Sequence, residues 1–345
     1  MRYLLLAEGF SGDPLYGKTM RGVLRYRRED VAAILDSTRV GENEDGVPIV
    51  RSVEEGLELG PTTALVGVVT QGGFFPPEWM ELLRSCVEHA LDVENGLHVF
   101  LADDPELSAL AAERGVELRD LRRPPAGLST ATGENLAVDA TIVLTVGSDC
   151  AIGKMTVSCE LDLEARRRGI RSVFVPTGQT GMVIGGWGIA VDAVVADFVA
   201  GAAERLVVEG RERGGELLWV EGQGAIQHPV YSGVALGLYH GSVPHLLVLC
   251  HEVGRTEIEG AGGGPHPIPP LRELVELHER IALPVRPARV AAVALNTRSV
   301  GEEQARGAVA AAEQETGLPA DDPVRFGAAK LVDAVLAAGG LSSDP

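Results

Sequence analysis

The chain has 345 residues, enough for two domains of ordinary size. Its 30 Lys+Arg against 49 Asp+Glu give a net charge of −19, which repels phosphodiester backbones and anionic lipid, so no nucleic-acid or membrane-surface partner is expected. The proportions of hydrophobic (45%) and charged (23%) residues are those of a folded protein rather than a disordered one.

No run supplies the ~18 consecutive apolar residues of a transmembrane helix. The start, Met1 to Gly9, has too short an apolar stretch for a signal peptide, so residues 4–7 read as a strand. Cys86, Cys150, Cys159 and Cys250 show neither metal-ligand spacing nor the density of a disulfide framework, and a reducing cytoplasm is the expected compartment.

Apolar runs rich in Val, Ile and Leu alternate with Ala-, Glu- and Arg-rich periodic segments, the pattern of an α/β fold with mainly parallel sheets. In the first part, strands are predicted at residues 3–7, 31–36, 47–50, 64–69 and 97–101, and helices at 78–91 and 105–114. Residues 122–130, with Pro124-Pro125 and Gly127, have the composition of a linker. A second series follows, with strands predicted at 141–146, 172–176, 217–220, 246–250 and 290–295, and helices at 154–168, 190–209, 271–281, 302–315 and 328–337. Two α/β domains, residues 1–128 and 129–345, are the expected layout.

The strongest motif is Gly147-Ser148-Asp149-Cys150-Ala151-Ile152-Gly153-Lys154-Met155-Thr156. A buried strand runs into a glycine-bounded loop and a helix opens at Lys154, the context in which main-chain N–H groups cradle phosphates while a lysine neutralises them. Five residues separate the two glycines, and Met155 stands where the common pattern has a hydroxyl, leaving Thr156 next in line. Lysine is scarce: only Lys18, Lys154 and Lys330 occur against 27 arginines, so a lysine kept at this point suits a compact ammonium inside a phosphate loop. A second formal match, Gly12-Asp13-Pro14-Leu15-Tyr16-Gly17-Lys18-Thr19, fits the common spacing but is detached from the first strand, and its Lys18 and Thr19 are candidates for binding substrate instead. The 147–156 loop resembles that of dethiobiotin synthetase, and Val220-Glu221-Gly222-Gln223-Gly224 looks like that family's strand end carrying a Mg²⁺-binding carboxylate.

Polar residues concentrate at the predicted carboxyl ends of the later strands, where parallel sheets bind ligands. Thr177-Gly178-Gln179-Thr180-Gly181 follows one such strand, and a helix holding Asp192 and Asp197 comes after it, the two acids on different faces. Four histidines, at 228, 240, 245 and 251, fall within 24 residues without cysteine or carboxylate partners at ligand spacing, so no metal is expected and His228 and His251 are candidate general bases. Arg255 is placed to clamp a carboxylate or phosphate bidentately, or to pair with Glu252 or Glu257. Asn296-Thr297 stands where P-loop enzymes recognise a base, and the glycine-rich segment 260–267 reads as a lid or Ω-loop.

Together, residues 147–156, 177–181, Asp192 to Asp197-Phe198, Glu221 to Gly224, His228 to Gly233, Gly241 to Pro244 and Asp322 to Gly327 resemble one family, known as D-glutamate N-acetyltransferase-like and formerly as a domain of unknown function. The resemblance extends to Lys18-Thr19 and residues 35–37. It implies a Rossmann-like N-terminal domain, a P-loop NTPase-like C-terminal domain, and acetyl transfer from acetyl-CoA to the amino group of D-glutamate or a similar amino acid. On this reading residues 147–156 bind the CoA phosphates. Glu221, His228, His251 and Arg255 are the candidate catalytic residues, and Lys18, Thr19, Gln179, Thr180, Ser232 and Arg255 the candidate substrate contacts. The alternative, suggested by the likeness to dethiobiotin synthetase, is an ATP-dependent kinase or ligase for a small carboxylate, with Mg²⁺ held by Thr156 and Glu221. A homo-oligomer is expected in either case.

Overall fold

The computed structural model describes residues 1–341 apart from 14–15, 70–72, 74–75, 261 and 263. It divides into two compact units: residues 1–123 with 182–186, and residues 124–181 with 187 onward.

The first unit runs β1 (Tyr3–Leu6), α1 (Lys18–Tyr26), β2 (Val31–Leu35), β3 (Asn43–Glu44), β4 (Val47–Val50), α2 (Val53–Leu57), β5 (Thr63–Val66), α3 (Trp79–Glu88), β6 (Asp92–Asn95), α4 (Pro105–Arg114) and β7 (Leu118–Asp120). Its seven-stranded sheet has the order β3-β4-β2-β1-β5-β6-β7, parallel throughout except for the β3–β4 pair. β1 lies in the middle and is buried on both faces, which is why it reads Tyr-Leu-Leu-Leu with no polar alternation. α4 keeps its predicted bounds because both ends are marked. The Asp104 carboxylate accepts from the Leu107 N–H (2.8 Å), Pro105 opens the helix, and Gly115 closes it at φ 68°.

The strand predicted at 97–101 is absent; the strand is β6, and residues 101–103 form a 3₁₀ turn. Asn95 turns the chain: its Oδ1 accepts from the Leu97 N–H (2.9 Å), and its Nδ2 donates to the Val99 carbonyl (2.6 Å) and to Asp120 (2.8 Å). After β2, the buried Asp36 carboxylate accepts from Gly9, Ser11 and Thr38. Burial pushes that carboxyl up, but the hydrogen bonds from Ser11, Thr38 and Gly9 outweigh it and hold its pKa below the ordinary value.

The second unit runs β8 (Thr141–Gly147), α5 (Lys154–Arg167), β9 (Ser172–Val175), α6 (Gln179–Gly185), α7 (Val199–Glu212), β10 (Leu217–Val220), α8 (Ser232–Ser242), β11 (Leu246–Glu252), α9 (Leu271–Arg280), β12 (Arg289–Asn296), α10 (Glu302–Thr316), β13 (Ala320–Asp321) and α11 (Ala329–Gly339). Its sheet, β13-β12-β11-β8-β10-β9, is entirely parallel. Along β8, Ile142, Leu144 and Val146 enter one core cluster and Val143 the other, so the strand is apolar on both faces.

The helix predicted over 190–209 is broken. Residues 191–193 and 196–198 form separate 3₁₀ turns joined through the extended Val194 and the non-helical Val195, and α7 starts only at Val199. Asp192 and Asp197 are therefore not on one helix, and both are exposed. α8, with Gly233, Gly237 and Gly241, had no counterpart among the predicted helices. Gly237 and Gly241 have a packing reason. A Cβ on Gly241 would lie 2.2 Å from the Ala200 carbonyl oxygen and one on Gly237 2.7 Å from Val199 Cγ1, so α8 touches α7 at backbone distance.

Among the described residues no helix is long and apolar enough to cross a membrane.

Candidate active site

From β8 the chain supplies β10 and β9 on one side and β11 to β13 on the other, so the strand order reverses at the carboxyl end of β8. Open parallel sheets bind ligands at such a reversal. β8 ends there in Gly147, whose missing side chain makes room for the loop: a Cβ would stand 2.7 Å from Ile152 Cδ1 and 3.2 Å from Lys154 Cδ. The loop then needs left-handed backbone at Ala151 (φ 54°) and Gly153 (φ 108°) before α5 begins at Lys154.

Lys154 is buried, and its Nζ donates back to the Asp149 carbonyl oxygen at 2.7 Å. Burial pulls its pKa below the ordinary lysine value. The Ser148 N–H donates to the Cys250 carbonyl (3.0 Å), Ser148 Oγ pairs with His251 Nδ1 (2.8 Å), and Gln227 Nε2 donates to the Ser148 carbonyl (2.6 Å). Burial lowers the His251 pKa. On the other side of the loop, Asn296 Nδ2 donates to the Ile152 carbonyl (3.1 Å). Thr297 gives both its N–H and its hydroxyl to Asp322 Oδ2.

Arg255 is committed to the same loop. Its Nη1 lies 3.0 Å from Asp149 Oδ2, 3.1 Å from the Cys150 carbonyl and 3.0 Å from Glu259 Oε2, while Nη2 lies 2.5 Å from Glu252 Oε2. Glu252 is shared with Arg298. Of the two pairings foreseen for Arg255, Glu252 is a partner; Asp149 and Glu259 were not foreseen.

At the end of β10, Glu221 faces the loop from the neighbouring strand. Its Oε2 accepts from the N–H groups of Thr177 (2.9 Å) and Gly178 (3.2 Å), and the Thr177 hydroxyl donates to the Glu221 carbonyl (2.6 Å). Burial is the dominant influence and lifts its pKa to about 7, against the lowering effect of the Thr177 and Gly178 donors. The glycines around it leave space only for that carboxylate: a Cβ on Gly181 would sit 2.2 Å from Glu221 Oε2, and one on Gly222 1.8 Å from the Thr145 carbonyl oxygen.

The four clustered histidines have separate partners. His240 reaches the Ile281 carbonyl, His245 accepts from the Ile142 N–H, and His251 meets Ser148. His228 is fully buried; Nδ1 accepts from the Val230 N–H (3.1 Å), so the ring proton sits on Nε2, which points to the Glu259 carbonyl (3.2 Å). That tautomer leaves no free lone pair to take a proton. The ligand atoms of Asp149, Cys150 and His228 lie within 4.8 Å of one another, a spacing that could hold a metal ion. The Arg255 guanidinium on Asp149 and the protonated Nε2 of His228 oppose a cation there.

Thr156 lies in the first turn of α5, Gln179 and Thr180 open α6 beside Glu221, and Ser232 opens α8. Lys18 and Thr19 belong to the other unit, at the start of α1, while Pro14 and Leu15 of their pattern lie outside the described residues. Of the segment read as a lid, Ala261 and Gly263 also lie outside them. Thr177 was read as part of the strand-end motif 177–181 but not as a partner of Glu221, and Gln227 and Glu259 were not among the candidate site residues. Each works through a partner far away in sequence, Glu221, Ser148 and Asp149 respectively, which no local pattern marks.

A glycine-bounded loop between strand and helix, a lysine at the helix start and a strand-end carboxylate beside it define a P-loop domain, here accompanied by a Rossmann-like unit. The chain belongs to the DUF1611 family: residues 129–332 match the P-loop domain of that family and residues 35–124 its Rossmann-like domain, both described as domains of unknown function. It is 36% identical over 338 residues, covering 96% of this chain and 98% of the relative, to a protein of Tritonibacter scottomollicae named D-glutamate N-acetyltransferase. A protein of the same name from a Pseudoalteromonas species is 35% identical over 282 residues, covering 81% of this chain and 83% of the relative. The crystal structure of a DUF1611 family protein from Anabaena variabilis superposes with a TM-score of 0.90 at 39% identity, covering 97% of this chain and 99% of that one.

Proposed function

We propose that this protein transfers the acetyl group of acetyl-CoA to the amino group of D-glutamate or a closely similar amino acid. The observation that carries the reading is its similarity, over 96% of its length, to a protein named for that reaction. The site supports the chemistry. CoA brings a pyrophosphate and a ribose phosphate, which suit the N–H groups of residues 151–153 and the ammonium of Lys154. Glu221, with a pKa near 7, is half ionised at neutral pH and takes a proton from the substrate ammonium. The freed amine attacks the thioester carbonyl carbon, the carbon–sulfur bond breaks, the new amide nitrogen gives its extra proton to the departing thiolate to form CoA thiol, and Glu221 returns the first proton to solvent. Loop N–H groups or the Ser232 hydroxyl stabilise the oxyanion formed on the way.

The test is direct: purified protein with acetyl-CoA and D-glutamate should release CoA thiol and N-acetyl-D-glutamate in equal amounts, with L-glutamate as the comparison. No product from any dicarboxylic amino acid would reject the proposal.

A second reading, a kinase or ligase, draws on one observation. Glu221 at the end of β10 resembles the Mg²⁺-binding strand-end carboxylate of P-loop nucleotide enzymes, and Thr156, one residue beyond the usual hydroxyl position held by Met155, lies in the first turn of α5. Acetyl transfer that persists in chelator without ATP counts against it, and ATP turnover that requires Mg²⁺ and a carboxylate counts for it.

A further inference from the structure

Helix α9 buries a histidine whose hydrogen bonding is half finished. His278 Nδ1 lies 2.7 Å from the Leu274 carbonyl, one turn earlier on the helix. A carbonyl can only accept, so the proton is on Nδ1 and Nε2 carries a bare lone pair. That Nε2 is buried and has no partner among the described residues. Leaving such an acceptor unmet in the interior is costly. Protonation does not resolve it at neutral pH, since burial holds the ring pKa at about 4.

His278 lines a small pocket of about 10 Å³, room for one water molecule. It is also lined by Thr145 to Gly147, at the end of β8, by the turn after Glu221, from Gly222 to Ile226, and by Ala235 and Leu238 of α8. Tyr239 also lines the pocket, and its hydroxyl already donates to the His278 carbonyl at 2.8 Å.

We infer that one ordered water occupies this cavity, donating to Nε2 of His278 and bonding the main chain of the 222–226 turn. The water thereby fastens α9 to the segment that carries Glu221 into the site. With Nε2 as one partner and main-chain groups of that turn as the others, the water has the two or more partners that a buried water requires.

A high-resolution crystal structure of the full chain, grown without ammonium so that the other one-atom donor is absent, tests the assignment. A density peak about 2.7–3.2 Å from Nε2 is expected. In His278→Phe, which keeps a ring but no lone pair, the peak should vanish and the main-chain amides of residues 222–226 should exchange with deuterium several-fold faster than in the wild type. A dry cavity in the wild-type crystal overturns the inference, as does a ring turned so that a protein donor meets Nε2. Unchanged amide protection of 222–226 in a folded variant overturns the fastening. None of these readouts depends on acetyl transfer.

Discussion

Arg255 holds its Nη1 3.0 Å from Oδ2 of Asp149, a carboxylate with no solvent exposure, and so joins the turn after β11 to the middle of the phosphate loop. The same guanidinium reaches the Cys150 carbonyl, Glu252 and Glu259, so both of its terminal nitrogens are engaged inside the protein. This makes Arg255 a brace for the loop and leaves little of it for a substrate carboxylate.

Arg255→Lys keeps the charge but loses the planar fork that spans these acceptors. The expected result is a several-fold weaker affinity for acetyl-CoA by calorimetry, with the KM for the amino acid little changed. The opposite split, with CoA affinity intact and acceptor KM raised, would return Arg255 to the substrate. Arg255→Ala strands Asp149 as a buried charge and leaves Glu252 to Arg298 alone, and should cost about 3–5 kcal/mol in chemical denaturation.

Glu221 should leave two marks on pH dependence. In catalysis kcat/KM should rise with pH to a plateau, with an inflection near pH 7, as the carboxyl loses its proton; Glu221→Gln should abolish that limb along with most of the rate. In stability the direction is reversed. The folded pKa of about 7 lies above the ordinary value of 4.5, so between those values the folded state holds more protons and stability falls as pH rises. Above pH 7 the ionised carboxylate is a fixed penalty of about 3 kcal/mol at most. Glu221→Gln, whose Oε1 can still accept from Thr177 and Gly178, should therefore melt higher than wild type at pH 8 and show a flatter profile from pH 5 to 8. A lower melting temperature at pH 8 would contradict this.

Lys154→Ala should weaken binding of the phosphate-bearing ligand by at least about 1.5 kcal/mol, roughly tenfold, without unfolding the chain. Calorimetric titration with acetyl-CoA and with ATP measures it. Wild-type affinity for both would remove residues 147–156 from the ligand site.

Gly222→Ala has almost no room. Its Cβ would stand 1.8 Å from the Thr145 carbonyl oxygen, which is main chain of the central strand, and 3.0 Å from Lys154 Cδ. The two strand ends must separate, so the variant should lose both ligand binding and several degrees of thermal stability. Gly233→Ala, with nothing within 4 Å, should be silent in the same melting assay.

Sequence legibility followed how local each signal is. The phosphate loop is legible because strand, glycines, lysine and helix are contiguous, and α4 because its cap and its terminating glycine adjoin it. β6 is not. Its sequence, Asp-Val-Glu-Asn, is polar, and it lies in the sheet because Glu94 meets Tyr3 and Arg119 while Asn95 meets Asp120, all distant in sequence. The glycines of α8 argue against a helix until Ala200 and Val199 are seen beside them. At the site the same limit applies. Glu221 was readable from its strand, but the partners that set its proton affinity, and those that occupy His228 and Arg255, come from other loops.

The pairing of β8 with β11 also sets an order in time. Val143 lies beside Leu246 and Gly147 beside Cys250, so the strand that launches the phosphate loop waits for a neighbour encoded about a hundred residues later. During synthesis the ribosome delivers residues 147–156 long before it delivers the Cys250 carbonyl that receives the Ser148 N–H, or the guanidinium that neutralises Asp149. A nascent chain halted after β10 carries every residue of the loop but not the support that shapes it. Ligand binding, followed on chains of increasing length, would switch on only after residue 255 has left the exit tunnel.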